Sequence, residues 1–221
     1  MDNSILFSLR LSFQVALLAT FFVVMVGIVV AYLLARKDFK GKEVADMLFT
    51  LPLVLPPTVT GYYLIILFGR NGFIGSYIYR WTEWSIMFTW YGAVLASFVV
   101  SLPLMIKITR AAFESIDKSL IHASYTLGHS ELMTAMKVIL PISKKGIIAG
   151  TVLSFARALG EFGATLMVAG NIPGKTNTMP ITIYSLANSG EWSKANIMVI
   201  FFTALSGLFL YIANKFSKRM L

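Results

Sequence analysis

The decapeptide AGNIPGKTNT, residues 169–178, sets Gly170, Gly174, Lys175 and Thr176 in the order of a phosphate-binding loop. Such a loop needs four residues between its glycines so that consecutive amides curl around the phosphates. Only Asn171, Ile172 and Pro173 intervene here, and Thr176-Asn177-Thr178-Met179-Pro180 follows as turn chemistry where a helix should open. Nucleotide binding at this loop is therefore not expected. In FARALGEFGA, Arg157 and Glu161 lie four residues apart, which on a helix places them on one face within pairing distance. Charges at bilayer depth cost about 2.5–3.5 kcal/mol each to insert, so such a pair either holds a bundle together or borders an ion or substrate path. An arginine can also snorkel toward an interface. The only two histidines, His122 and His129, fall in one loop, and there is no cysteine. No serine–histidine, metal-ligand or paired-carboxylate constellation forms, so no catalytic, metal or cofactor site is expected in this chain.

The elements that must position these residues are membrane helices. The chain has 221 residues, of which 57% are hydrophobic and 13% charged, against roughly 45–50% and 25% in an ordinary globular domain. Five apolar stretches, about 11–35, 47–68, 86–106, 146–169 and 196–214, approach or exceed the roughly 20 residues that cross a bilayer as a helix. The first has too long an apolar run for a cleaved signal, whose core is about 7–15 residues, so it is expected to stay in the chain. A net charge of +9 does not point to nucleic acid, because the basic residues sit in short groups between apolar runs. Arg36, Lys37, Lys40, Lys42, Lys107, Arg110, Lys118, Lys137, Lys144, Lys145, Lys215, Lys218 and Arg219 fall on one side. Arg10, Arg70, Arg80, Lys175 and Lys194 fall on the other, a bias of thirteen to five. The positive-inside rule then predicts an external N-terminus and a cytoplasmic C-terminus.

Two stretches carry marks of irregular packing. Pro52, Pro56 and Pro57 interrupt the second, and a break at membrane depth is tolerated only beside other protein or a water-filled cavity. It is either a kinked packing helix or the border of a translocation route. Pro103 is expected to kink the end of the third stretch. In the fourth, Gly146, Gly150, Ser154 and Ala158 form one row of small residues, and Ala156, Gly160 and Ala164 a second. Such rows allow close helix approach, so this segment is expected inside a bundle.

The longest cytoplasmic stretch, about 107–145, reads as two short helices. Asp117 is placed to cap the first and Gly128 to stop it; Ser130 is placed to cap the second, which Pro141 is expected to end. The run HASYTLGHSELMTAMKVILP resembles the cytoplasmic signature of ABC-transporter permease subunits. Ala123, Gly128, Leu140 and Pro141 match in register, Val138 takes the isoleucine place, Ser124 the second alanine and His122 the glutamate. With the neighbouring Leu127, the resemblance makes this a coupling helix that docks on a separate ATP-hydrolysing subunit. That subunit would use ATP and Mg, while this chain binds no cofactor.

SFARALGEFGATLMVAGNIPGKTNTMPITIY and LPLVLPPTVTGYYLIILFGRNGFIG resemble the molybdate permeases of that family, and less closely its sulfate and thiosulfate permeases. The resemblance covers nearly the whole chain, residues 1–221, as one transmembrane domain. It implies an all-α integral membrane protein with the type I ABC importer permease fold, about five spans and a coupling helix, in the bacterial cytoplasmic membrane. It further implies a second copy of this chain, two ATPase subunits, an extracytoplasmic molybdate-binding protein and transport by alternating access. Pro56, Pro57, Arg157, Gly160, Glu161 and Gly163 are then candidates for the path or gate, and Asn171, Gly174 and Lys175 for the external surface. A sulfate, thiosulfate or tungstate permease is the alternative. A gradient-driven carrier working through Arg157 and Glu161, or an ion channel, is the rival class.

Overall fold

The computed structural model describes residues 3–219, with side chains over residues 4–211, and every regular element among them is helical. The side chains of Lys215, Lys218 and Arg219, counted above on the basic side, lie outside the described set. Three continuous helices are long and apolar enough to cross a membrane: α1 (Asn3–Arg36), α5 (Trp90–Glu114) and α12 (Trp192–Arg219). At about 1.5 Å per residue, the 34 residues of α1 span about 50 Å, more than the roughly 30 Å hydrocarbon core.

The other two apolar stretches are each built from two pieces. The second comprises α2 (Lys42–Val54) and α3 (Pro57–Phe68). Leu55 (ψ 140°) and Pro56 (ψ 137°) are extended because each precedes a proline. Pro57 then opens α3, where its missing amide hydrogen leaves no helical bond unmade. The fourth stretch, expected as one helix, is also broken, into α9 (Lys144–Leu159) and α10 (Gly163–Ala169). No proline marks this break; the chain leaves the helical region at Gly160 and Phe162. The row of Ala156, Gly160 and Ala164 consequently spans two helices and does not form one face.

Pro103 does not end α5, which continues to Glu114, so residues 107–114 extend a membrane helix. The proline is buried in a helix packed on several sides, and tertiary contacts outweigh one lost backbone bond. The core is organised around α5, which carries α1, α9 and α10 against it. The first small-residue row of α9 lies on α5: a Cβ on Gly146 would run into Ala112, and one on Gly150 would come within 2.9 Å of Met105 Sδ. Ser154 Oγ donates to Ser101 O at 3.4 Å, and Ala158 O accepts from Ser97 Oγ at 3.5 Å. The close approach read from the spacing is present. Two short helices were not anticipated, α4 (Gly75–Thr82) and α11 (Met179–Asn188).

Candidate functional site

The two helix breaks meet. A Cβ on Gly163, the first residue of α10, would lie 3.1 Å from Pro57 Cβ and 3.3 Å from Thr58 Cγ2 at the start of α3. One turn further on, a Cβ on Gly61 would fall 2.7 Å from Met167 Cβ and 3.0 Å from Ala164 Cα. Two half-helix N-termini, each carrying partial positive charge, thus begin side by side.

Arg157 and Glu161, expected within one helix, sit on either side of the second break. Arg157 occupies the last turn of α9, where a cation is favoured by the helix dipole. Glu161 lies in the gap and its Oε1 accepts from the Ala164 amide at 2.8 Å, capping α10. Its Oε2 is 2.7 Å from Arg157 Nη1, a charge contact that is not aligned as a hydrogen bond. The Glu161 side chain is 1% exposed and that of Arg157 31%, so the pair spans the boundary between packed interior and open surface. Pro56, Thr58 and Gly160 are exposed around it. Thr60 and Thr165, one turn into α3 and α10, are buried with no partner for their hydroxyls. Of the six path candidates, Pro57, Arg157, Glu161 and Gly163 surround the junction, and Pro56 and Gly160 lie at its exposed edges.

The 169–178 loop is braced internally. Ile172 N donates to Thr176 Oγ1 at 3.0 Å and Gly174 N to Asn177 Oδ1 at 3.0 Å. Amides that a phosphate loop would aim at its ligand are thus engaged by the loop's own side chains. Asn177 Nδ2 reaches Ser8 Oγ at 3.1 Å, Ser8 Oγ meets Thr182 Oγ1 at 2.8 Å, and Met179 N donates to Ser12 Oγ at 2.7 Å. A helix does open at Met179, contrary to the turn reading, but its first amide is tied to α1. Asn171 Nδ2 donates to Ser185 Oγ at 2.6 Å, while Gly174 and Lys175 are exposed. The role of Ser8 and Ser12 was missed; their i, i+4 spacing in an apolar helix was the available signal.

The loop after α5 forms a hairpin of α6 (Lys118–Thr126) and a bent arm. Asp117 Oδ1 caps α6 by accepting from Ser119 N at 2.8 Å, and hydrogen bonding to Ser119 holds its carboxyl below the usual range. Gly128 turns the chain at φ +81°, and the space its missing Cβ would occupy is open to beyond 4 Å. Ser130 Oγ caps α7 (Glu131–Thr134), accepting from Met133 N at 3.3 Å. The chain then widens into a π turn, Ala135–Ile139, and tightens into α8 (Leu140–Ile142). Pro141 was expected to end this helix, which stops one residue later, at Ile142. At Ser143 the arm bends by 71° into α9.

Ser124 is the hub of the hairpin. Its Oγ lies 2.9 Å from Thr134 Oγ1 and 3.1 Å from His129 Nδ1, and His129 N donates to Ser124 O at 3.2 Å. A hydroxyl at the motif's second alanine thus joins the two helices, a role not legible from the motif. His122, at the glutamate place, is exposed in a polar cleft of about 350 Å³ with Arg36, Lys118 and Tyr125. Ala123 and Leu127 are exposed, Val138 and Leu140 half-buried, and Pro141 exposed; Ile139, outside the motif, fills the core. Glu131, also outside it, accepts from Tyr32 Oη at 3.0 Å and Lys37 Nζ at 2.6 Å. Lys37 first, and Tyr32 with it, hold its carboxyl below the usual range.

One helix, α9, leaves the capped hairpin at its first residue and reaches the half-helix junction at its last. Residues 23–221 match the family described as binding-protein-dependent transport system inner membrane component. The chain belongs to that family. It is 44% identical to the molybdenum transport system permease protein of Haemophilus influenzae over 214 residues, covering 96% of this chain and 93% of that one. It is 46% identical to the Escherichia coli (strain K12) protein of the same name, covering 86% and 84%. Identity to the sulfate transport system permease protein of Salmonella typhimurium is 33%, covering 94% and 76%. Among solved structures, an alginate ABC importer aligns with TM-score 0.80 at 14% identity, over 99% of this chain and 80% of that one. The inward-facing MetNI methionine ABC transporter aligns with TM-score 0.77 at 16%, over all of both chains. At such identities these two likenesses establish the fold, that of ABC importer permeases. No group of three or more histidine, aspartate or glutamate side chains among the described residues could hold a metal ion.

Proposed function

We propose that the chain is the membrane permease of an ATP-driven importer of molybdate. The observation that carries this is the similarity to two molybdenum permeases at 44% and 46%, over 96% and 86% of the chain; a third molybdenum permease, at 34%, stands level with a sulfate permease at 33%, so it is the first two that carry the reading. In this reading two copies of the chain form one domain each of the membrane unit. Two separate ATPase subunits bind ATP and Mg and dock on the hairpin within residues 107–145, through His122, Ala123, Ser124, Leu127, Gly128, Val138, Leu140 and Pro141. An extracytoplasmic binding protein delivers the oxyanion. The lysine and arginine bias supports a cytoplasmic C-terminus and hairpin, with the N-terminus and the 169–178 loop outside.

The junction of Pro56, Pro57, Arg157, Gly160, Glu161 and Gly163 borders the path. Half-helix N-termini and Arg157 favour an approaching dianion. The Glu161 carboxylate beside them keeps the well shallow, as release requires. ATP binding draws the ATPases and their docked hairpins together and opens the bundle outward, and hydrolysis resets it. Asn171, Gly174 and Lys175 form part of the outer surface that meets the binding protein. Lys175→Glu should weaken uptake while leaving basal ATP hydrolysis intact; unchanged uptake would reduce the loop to a brace.

The deciding experiment is uptake of labelled molybdate by the complex with its ATPase and binding protein in proteoliposomes, with sulfate and tungstate as competitors. ATP-dependent uptake that survives collapse of the proton gradient and resists modest sulfate is expected. Strong inhibition by sulfate would instead favour the sulfate permease reading, and dependence on the gradient a secondary carrier.

A further inference from the structure

The arm formed by α7, the π turn and α8 is held unevenly. Its base is packed: Ile139 lies in one buried cluster with Ala31, Phe113, Ile116 and Ile121. Its tip is not. An apolar groove of about 430 Å³, walled by Ile28, Val29 and Leu33 of α1 and by Leu132 and Met136 of the arm, separates the two. Across the end of that groove a single carboxylate bridges the gap, through Tyr32 Oη at 3.0 Å and Lys37 Nζ at 2.6 Å. Among the described residues no other hydrogen bond or ion pair joins residues 3–37 to residues 131–142.

We propose that Tyr32, Lys37 and Glu131 form a latch that ties the tip of the arm to α1, with Glu131 as the residue that positions the arm. The proposal rests on the reading of this hairpin as the ATPase-docking element. Three features favour a latch over a structural brace. The Lys37 and Glu131 side chains are 44% and 45% exposed, and pairs so exposed contribute little to stability and open readily. Glu131 is the first residue of α7, where the helix dipole favours a carboxylate and the side chain reaches back toward α1. It is also farthest from the bend at Ser143. Twelve residues at about 1.5 Å each make a lever of about 18 Å, so a tilt of about 10° moves the tip by about 3 Å. Such a shift carries a 2.6 Å contact out of hydrogen-bond range. A small movement of the docked hairpin therefore pulls on α1 while the latch holds, and leaves α1 behind once it opens.

Molybdate uptake and ATP hydrolysis measured in the same proteoliposomes test this. Glu131→Gln and Lys37→Glu should keep assembly and hydrolysis but lower uptake per ATP about fivefold or more, a typical coupling effect. The swapped pair, Lys37→Glu with Glu131→Lys, should recover part of it, less than all because the helix dipole and the Tyr32 hydroxyl favour a carboxylate at 131; a general loss of stability would not be recovered. Singles with normal uptake per ATP, or a swap without recovery, overturn the latch. Absence of ATP-dependent uptake in the unaltered complex overturns the functional reading instead. Because the sequence contains no cysteine, spin labels at Val29→Cys and Leu132→Cys report the groove directly, whatever is transported. A wider distance distribution with Glu131→Ala supports the latch, and an unchanged one overturns it.

Discussion

The molecule contains two carboxylate–cation pairs of nearly equal length in opposite surroundings. Arg157 and Glu161 are 2.7 Å apart with the carboxylate 1% exposed; Lys37 and Glu131 are 2.6 Å apart with both side chains close to half-exposed. Glu161 also caps a half-helix, and its burial keeps solvent from taking the place of Arg157 if that partner is lost. Glu131 sits at the rim of a polar cleft where solvent competes with Lys37. Length alone therefore says little about a pair: burial makes the first a fixed part of the helix break and leaves the second free to open and close.

Glu161→Ala gives the sharpest test of that contrast. Removing one partner of a buried pair costs about 3–5 kcal/mol, reduced to about 2–3 kcal/mol here because Arg157 is partly exposed. Thermal melting of the purified complex should show this loss, and a shift no larger than that of Glu131→Gln would erase the distinction. Next comes the packing of α9 on α5. Gly146→Val must displace Ala112 on α5 and should cost about 1–3 kcal/mol, whereas Gly207→Val, with open space around it, should melt like the parent. Equal melting of the two would remove the small-residue row from the account.

On the exposed side the expected effects are smaller. Gly128→Val forces a branched side chain to φ +81° at about 1–2 kcal/mol, and Gly128→Asn should recover part of that. Amide exchange over 118–142 reads both, and protection unchanged by valine would show that the turn relaxes. Ser124→Ala leaves Thr134 without its partner and should cost about 1 kcal/mol, seen as faster exchange confined to the same hairpin. The least effect is that of mild acid on the latch. Glu131 has a lowered folded-state pKa, so its contribution is complete above the ordinary glutamate range and is lost as pH falls through the lowered value. Tyr32 and Lys37 contact it, and Arg36, Asp38, Lys118, His122 and Tyr125 line the same cleft. The distance between labels at 29 and 132 should hold from neutral pH down to that range and widen only below it; widening near neutrality would assign control to another group.

How much was legible depended on whether the constraint was local. The break at Pro56-Pro57, the turn at Gly128, the caps at Asp117 and Ser130 and the row from Gly146 to Ala158 follow from backbone geometry or from periodicity within a single segment. The break after Leu159 did not, because Gly160 alone does not forbid a helix. At Pro103 a kink was expected, but not that α5 would continue through it to Glu114; at Pro141 the helix stops one residue later, at Ile142. Ser8, Ser12 and Glu131 escaped notice, and Ser124 was read only as a motif position, because their partners are recognised only once the chain has folded.

By itself, the sequence determined a helical membrane protein with five apolar stretches, a broken second stretch, a hairpin bearing the permease signature and no phosphate loop at AGNIPGKTNT. The reason is that in a bilayer each segment must satisfy its own backbone, so composition and proline placement act residue by residue. Only the tertiary structure decided that the two breaks abut, that Glu161 closes one of them, that the 169–178 loop is tied to α1 and that Glu131 reaches Tyr32 and Lys37. Those outcomes depend on how closely helices approach in three dimensions, which is set by the fit of glycine rows and side-chain shapes between segments far apart in the chain.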